Sequence, residues 1–162
     1  MTHPVTHTDT NSHETLDESV QALETLTSSL LDNQASLRKV GEESKNALLK
    51  EIFLAESLER ARYRGAIETI LHQEGVHDIE ESTTVGGSLR RTWAEVKSVL
   101  GGGDRTLLAT AGQAEAALMK DYAKALDTPQ PLPIRQLIVS QYVEVQSNAD
   151  FIKAARESGE IF

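Results

Sequence analysis

Polar side chains fall in phase with the apolar stripes of four helix-length stretches, and that coincidence constrains the fold of this chain more than any other feature. The first stretch carries Leu16, Val20, Leu23, Leu26, Leu30 and Leu37, and the helical step after Leu30 lands on Gln34. The second reads Leu48, Ile52, Ala55, Glu59, Tyr63, Ala66 and Ile70, so Glu59 shares a face with apolar residues on both sides. The third is Leu108, Ala111, Glu115, Leu118, Tyr122 and Ala125. The fourth interleaves Gln141, Glu144 and Asn148 with Leu137, Ile138, Val145, Phe151 and Ile152. Apolar residues recurring at three and four mark the buried face of a helix, so a polar residue on that face is carried into the core. The expected fold is all-α, with a polar layer inside it.

Turn and cap residues set the expected boundaries. Thr15, with Glu18 three residues on, reads as a capping box that opens a helix over 16–40, closed by Gly41. A second helix over 43–74 stops at Gly75. Asp104 reads as the N-cap of a third, to residue 126. Pro129, Pro131 and Pro133 form a stiff connector before a fourth, 134–156. The long connection 75–103 holds a short helix over 89–100, capped by Ser88, with Leu89, Trp93, Val96 and Leu100 on one side and Gly101, Gly102 and Gly103 at its end. Residues 1–13 carry almost no apolar side chains and read as a disordered tail. Residues 14–157 read as one bundle domain, and 158–162 as a frayed end.

Composition excludes several function classes. Sixteen basic against 25 acidic side chains give a net charge of −9, which repels phosphate backbones, so nucleic acid is not an expected partner. The absence of Cys excludes thiolate catalysis and thiolate metal sites. No run of about 18 apolar residues exists to span a membrane, and the N-terminal stretch lacks the apolar core of a signal peptide. A cytoplasmic location is expected. The triple glycine is followed by no Lys-Ser/Thr and preceded by no strand, so it reads as loop punctuation and not a phosphate loop. Arg90, Arg91 and Lys97 on the Trp93 helix raise membrane-surface binding, but a cap over the bundle is the preferred reading of that helix.

Loop lengths give the topology. Short first and third connections make two antiparallel hairpins. The second connection must travel back along a helix of roughly 45 Å, at 1.5 Å per residue. Two hairpins joined by one long crossover is the ferritin-like, up-down four-helix connectivity. Four marks then invite a closer comparison: a helical hairpin, then Gly87-Ser88-Leu89 with Trp93 and Lys97, then the pair Gly103-Asp104, then Glu115 seven residues before Tyr122. In these the chain resembles, over roughly residues 20–156, the bacterial ferritin-like four-helix-bundle family of unknown function called DUF2383. The resemblance implies kinship with carboxylate-bridged two-metal bundles. It places Glu59 and Glu115 on acidic positions of that pattern. Gln34 stands where an acidic residue is expected, and Asn148 near an expected His-containing segment.

A two-metal site of that type needs a Glu from each of two helices and Glu-x-x-His from each of the others. Here Glu59 is followed at that spacing by Arg62 and Glu144 by Ser147, while Glu68 and His72 stand four apart near a helix end. The expectation is therefore a degenerate polar layer of Gln34, Glu59, Glu115, Gln141, Glu144 and Asn148, with Glu59 paired to Arg62, no catalytic residue and no resident cofactor. The protein is expected to act through association, as a homodimer. The alternative is an iron- or manganese-binding ferritin-like protein, a metal store or weak oxidase. Its candidate ligands are Glu59, Glu115 and Glu144, with Glu59 and Glu115 face to face.

Overall fold

The computed structural model describes residues 9–77 and 103–159, and every regular element within them is a helix: α1 Asp9–Glu43, α2 Ala47–Gln73, α3 Asp104–Asp127 and α4 Leu132–Ser158. The expected short helix over 89–100 lies outside the described residues, as do residues 1–8 and 160–162. Side-chain pairs fix the helix directions. Ser57 Oγ on α2 donates to the Gln34 carbonyl on α1 (3.1 Å), and Arg60 Nε to Asn33 Oδ1 (3.1 Å), so α1 and α2 are antiparallel. Ser29 donates to Asp121 and Asn33 to Glu115, so α1 and α3 are antiparallel as well. It follows that α2 and α3 run parallel, and that the chain leaves α2 at one end of the bundle and enters α3 at the other. α4 folds back on α3. The seam between α2 and α4 is the sparsest, crossed by a bond from Gln141 Nε2 to the Tyr63 carbonyl (3.3 Å).

Several ends differ from the sequence expectation. α1 begins at Asp9, so Thr15 lies within the helix and does not cap it, and residues 9–13 are helical. Extending an existing helix avoids the cost of nucleating one. α2 begins at Ala47, where Asn46 Oδ1 accepts from the amides of Leu48 and Leu49. Its other end is the expected stop: Gly75 adopts φ 87°, its amide donates to His72 O and the Val76 amide to Leu71 O. That is a complete Schellman turn, which a side chain at Gly75 would strain. Asp104 does not cap α3. It is the first helical residue after Gly103, and its carboxylate instead accepts from the amides of Lys45 and Asn46 (2.9 Å each), tying the α1–α2 turn to α3.

Gly41 does not end α1. It lies inside the helix where α1 presses on α2: a Cβ there would stand 2.9 Å from Leu54 Cγ and 3.1 Å from the Leu54 backbone nitrogen. Backbone cannot rotate aside as a side chain does. Gly41→Ala is therefore expected to destabilise by about 1–3 kcal/mol. At Gly65, where a Cβ meets nothing within 4 Å, the same substitution should stabilise by roughly 0.5–1 kcal/mol through helix propensity. Urea midpoints of the two variants should move in opposite directions, and parallel shifts would refute the close-approach argument.

The core has two apolar halves. One gathers Leu23, Leu26 and Leu30 with Ile67, Leu71, Leu118, Tyr122, Ile138 and Val145. The other gathers Leu37, Val40, Leu49, Phe53, Leu107, Leu108, Ala111 and Ile152. Between them every helix contributes buried polar residues: Asn33 and Ser36 from α1, Ser57 and Arg60 from α2, Glu115 from α3, Asn148 from α4.

Candidate functional site

The dividing layer is built around an ion pair with no solvent contact. The side chains of Arg60 and Glu115 are both 0% exposed, with Arg60 Nη2 3.0 Å from Glu115 Oε2. Asn33 joins them, donating from Nδ2 to Glu115 Oε1 (3.1 Å) and accepting from Arg60 Nε on Oδ1 (3.1 Å). A closed triangle of one amide, one guanidinium and one carboxylate thus links α1, α2 and α3. The partly exposed Glu56 lies 3.1 Å from Arg60 Nη1, one helical turn away. Asn148 enters the same layer from α4: Tyr122 meets Gln141 across the α3–α4 seam, and one antiparallel step of seven residues sets Glu115 opposite Asn148. Its Nδ2 is buried without a hydrogen-bond partner.

Electrostatics follow from this burial. Removal from water pushes the Glu115 carboxyl above its ordinary 4.5, while the Arg60 charge and the bonds from Asn33 and Arg60 pull it back. Burial likewise holds the Tyr122 phenol far above its usual range, so the hydroxyl stays protonated and donates to Gln141 Oε1 (2.9 Å). Gln141, through that bond and its bond to Tyr63, belongs to the apolar half beside the layer and spans α2, α3 and α4.

The structure brings only some of the expected residues together. Glu115, Gln141 and Asn148 are buried, as their stripes require. Glu59 is not in the layer: its side chain is 42% exposed and pairs with Arg62 at 2.5 Å. Glu144 is exposed. Both line an outer groove of about 440 Å³ between α2 and α4, beside Arg62 and Tyr63. Gln34 is half-buried, and the layer position on α1 belongs to its neighbour Asn33. On α2 the buried face is Leu49, Phe53, Ser57, Arg60, Tyr63, Ile67 and Leu71, one residue out of phase with the stripe that contained Glu59. Glu59 and Glu115 therefore do not face each other across the core.

Chemically, the layer presents a carboxylate whose two oxygens are both engaged and a cation that cannot lose its proton. The centre of the layer is held by Arg60. Among the described residues, no three His, Asp or Glu side chains converge as metal ligands would.

A pair of carboxylates, Asp32 and Asp121, lies off the layer. Burial, and then Asp121, push the Asp32 carboxyl up from 3.8 to about 6, while Asp121 accepts from Ser29 Oγ at 2.6 Å. A carboxyl whose folded value exceeds its unfolded value favours the protonated folded state. Stability is therefore lost as pH rises from about 4 to 6 and stays lost above that window. Asp32→Asn is expected to stabilise the protein at pH 7 by about 1 kcal/mol, after discounting for solvent screening. The gain should vanish near pH 4. A gain independent of pH, in urea titrations across that range, would contradict the assignment.

These features define a class: an all-helical bundle, four-helix in its described residues, with a buried ion pair dividing its core. Residues 18–128, more than half of the chain, match the family described as "Domain of unknown function (DUF2383)", and the chain belongs to that family. The match contains Asn33, Arg60 and Glu115, and ends before α4. No curated protein matches the chain.

Proposed function

We propose that this protein is a ferritin-like bundle whose central layer is a structural ion pair in place of a metal centre, and that it acts without catalysis, through association as a cytoplasmic homodimer. The observation that carries this reading is Arg60. A permanently charged guanidinium, sealed between helices and bonded to Glu115 and Asn33, fills with protein the charge that metal ions supply in related architectures. A metal entering there would need to displace that cation, against direct repulsion. The parallel α2 and α3, joined by a connection that returns along the bundle, support the ferritin-like ancestry. The association half draws on the outer face of α4, where Leu132, Val139 and Val143 follow one another at seven- and four-residue steps and stand 67%, 41% and 53% exposed. The net charge of −9 disfavours nucleic acid as the partner. No helix among the described residues is long and apolar enough to cross a membrane.

The test has two readouts. Elemental mass spectrometry of untagged protein, purified without chelator, is expected to find no stoichiometric iron or manganese. Metal near one equivalent that disappears in Glu115→Gln would overturn the ion-pair reading and establish the metal-binding alternative. Sedimentation equilibrium is expected to give a dimer that Val139→Asp/Val143→Asp converts to monomer. A wild-type monomer at tens of micromolar would overturn the association reading.

A further inference from the structure

The bundle has a basic corner that its composition does not lead one to expect. A groove of about 680 Å³ opens between the start of α3 and the end of α4, and Arg105, Lys153 and Arg156 converge on it with, among the described residues, a single carboxylate, Glu157. Acidic side chains outnumber basic ones 25 to 16 in this chain. The other arginines of the described helix surfaces are spoken for: Arg38 pairs with Glu42, Arg62 with Glu59, Arg64 with Glu68, and Arg135 donates to the Leu126 carbonyl. Among the described residues, Arg105, Lys153 and Arg156 make no ion pair or hydrogen bond.

Helix electrostatics account for only part of this. Lys153 and Arg156 sit toward the negative end of α4, where a cation is favourable. Arg105 sits in the first turn of α3, at the positive end, where a cation is unfavourable. Its guanidinium nevertheless crosses toward α4 and reaches Gly159, where a Cβ would stand 3.8 Å from Nη2. From the other side, Arg156 Nη1 reaches α3 at Gly112. Two guanidiniums from facing helices thus lean across one groove, and Ala109 and Thr106 line it with them.

We propose that this groove is a binding site for a small phosphate monoester. Two guanidinium forks and an ammonium match a terminal phosphate dianion, which they can hold through paired, charge-assisted hydrogen bonds. The volume lies in the range of small-molecule sites, roughly 300–1,000 Å³. The whole-chain charge selects for a short ligand. Within a Debye length of about 8 Å, a single phosphate group is dominated by the three cations, whereas a long polyanion would run out over an acidic surface. Glu157, at the edge, would accept from a hydroxyl on the same ligand. This site is separate from the Arg60 layer and does not depend on how that layer is read.

The test is calorimetric titration of the full chain with inorganic phosphate and with glycerol 3-phosphate in chloride buffer at constant ionic strength. Saturable one-to-one binding is expected. It should weaken at least about tenfold, the effect of losing a charged hydrogen bond, in Arg105→Gln and in Lys153→Gln/Arg156→Gln, whose urea midpoints stay at the wild-type value. Lys120→Gln/Lys124→Gln, two exposed cations farther along α3, should bind as wild type does. No saturable binding, or equal weakening in the Lys120/Lys124 control, would overturn the site. Vesicles of phosphatidic acid, beside phosphatidylcholine vesicles, identify the source of the phosphate. Co-sedimentation with the former alone, lost in the groove variants, assigns a lipid headgroup. Failure to co-sediment, with a positive titration, assigns a soluble ester.

Discussion

Truncating Glu115 to Ala is expected to lower the stability of the bundle by about 3–5 kcal/mol. The magnitude comes from what is left behind. Arg60 stays fully buried with its charge and loses its one fully buried carboxylate partner, keeping only the partly exposed Glu56. Asn33 Nδ2 loses its acceptor, and a buried donor without a partner costs about 1–3 kcal/mol. The space vacated at 0% exposure adds a cavity. Domains of this size are stable by only about 5–15 kcal/mol, so the variant stands near its unfolding threshold at 37 °C. Urea denaturation followed by circular dichroism measures the loss. Glu115→Gln separates charge from shape, because an amide oxygen can still accept from Asn33 or from Arg60 while the charge is gone. It should lose less than Glu115→Ala and still more than 1 kcal/mol. A loss under 1 kcal/mol in both would mean that water reaches Arg60, against the packing described.

How much of this was legible in the sequence differs from helix to helix. On α3 every residue of the stripe Leu108, Ala111, Glu115, Leu118, Tyr122, Ala125 is buried, and the buried face adds only Leu107, because exposed positions there carry Gln, Lys and Asp and leave one phase open. On α2 two phases compete. Leu48, Ile52, Ala55, Glu59 and Leu49, Phe53, Ser57, Arg60 are both near-regular at helical spacing, and Tyr63 satisfies either one. The first contained a plausible core carboxylate, and the second required burying an arginine, which as an isolated charge is prohibitive. Volume was the overlooked signal: Leu49, Phe53, Ile67 and Leu71 fill more space than a phase that spends two positions on Ala55 and Ala66. Charge was the other. A Glu115 committed to the core needs a counter-ion, and the three arginines of α2 were the nearest supply. On α1 the stripe itself holds at Leu23, Leu26, Leu30 and Leu37, and only the step between Leu30 and Leu37 falls on Asn33 in place of Gln34. The ends misread for a different reason. Gly41 and Asp104 look like local punctuation, and their roles are tertiary: contact with Leu54 in one case, reception of the Lys45 and Asn46 amides in the other. No local pattern records that.

Replacing the whole triangle should undo the damage that replacing one corner causes. In Asn33→Leu/Arg60→Met/Glu115→Leu, the three groups that bond one another are removed together, and side chains of similar volume join the two apolar halves of the core into one. Such replacements of buried ion-pair networks run from neutral to about 1–4 kcal/mol more stable, because the desolvation cost of the charges disappears with them. Arg60→Met strands Glu115, and Glu115→Leu leaves Arg60 with only the partly exposed Glu56 as a carboxylate partner, so each alone should lose about 3 kcal/mol. The triple variant should therefore recover at least the full loss of either single, a coupling far beyond additivity. Asn33 must be included, because with both partners gone its amide would be orphaned. Glu56 needs no change, being exposed enough to hydrate once Arg60 is absent. Urea midpoints and amide proton dispersion across the series decide the matter. A triple variant that is stable but poorly dispersed would show that the layer sets the register of the helices and contributes little stability. One that is no more stable than the singles would show that the ion pair itself holds the bundle together.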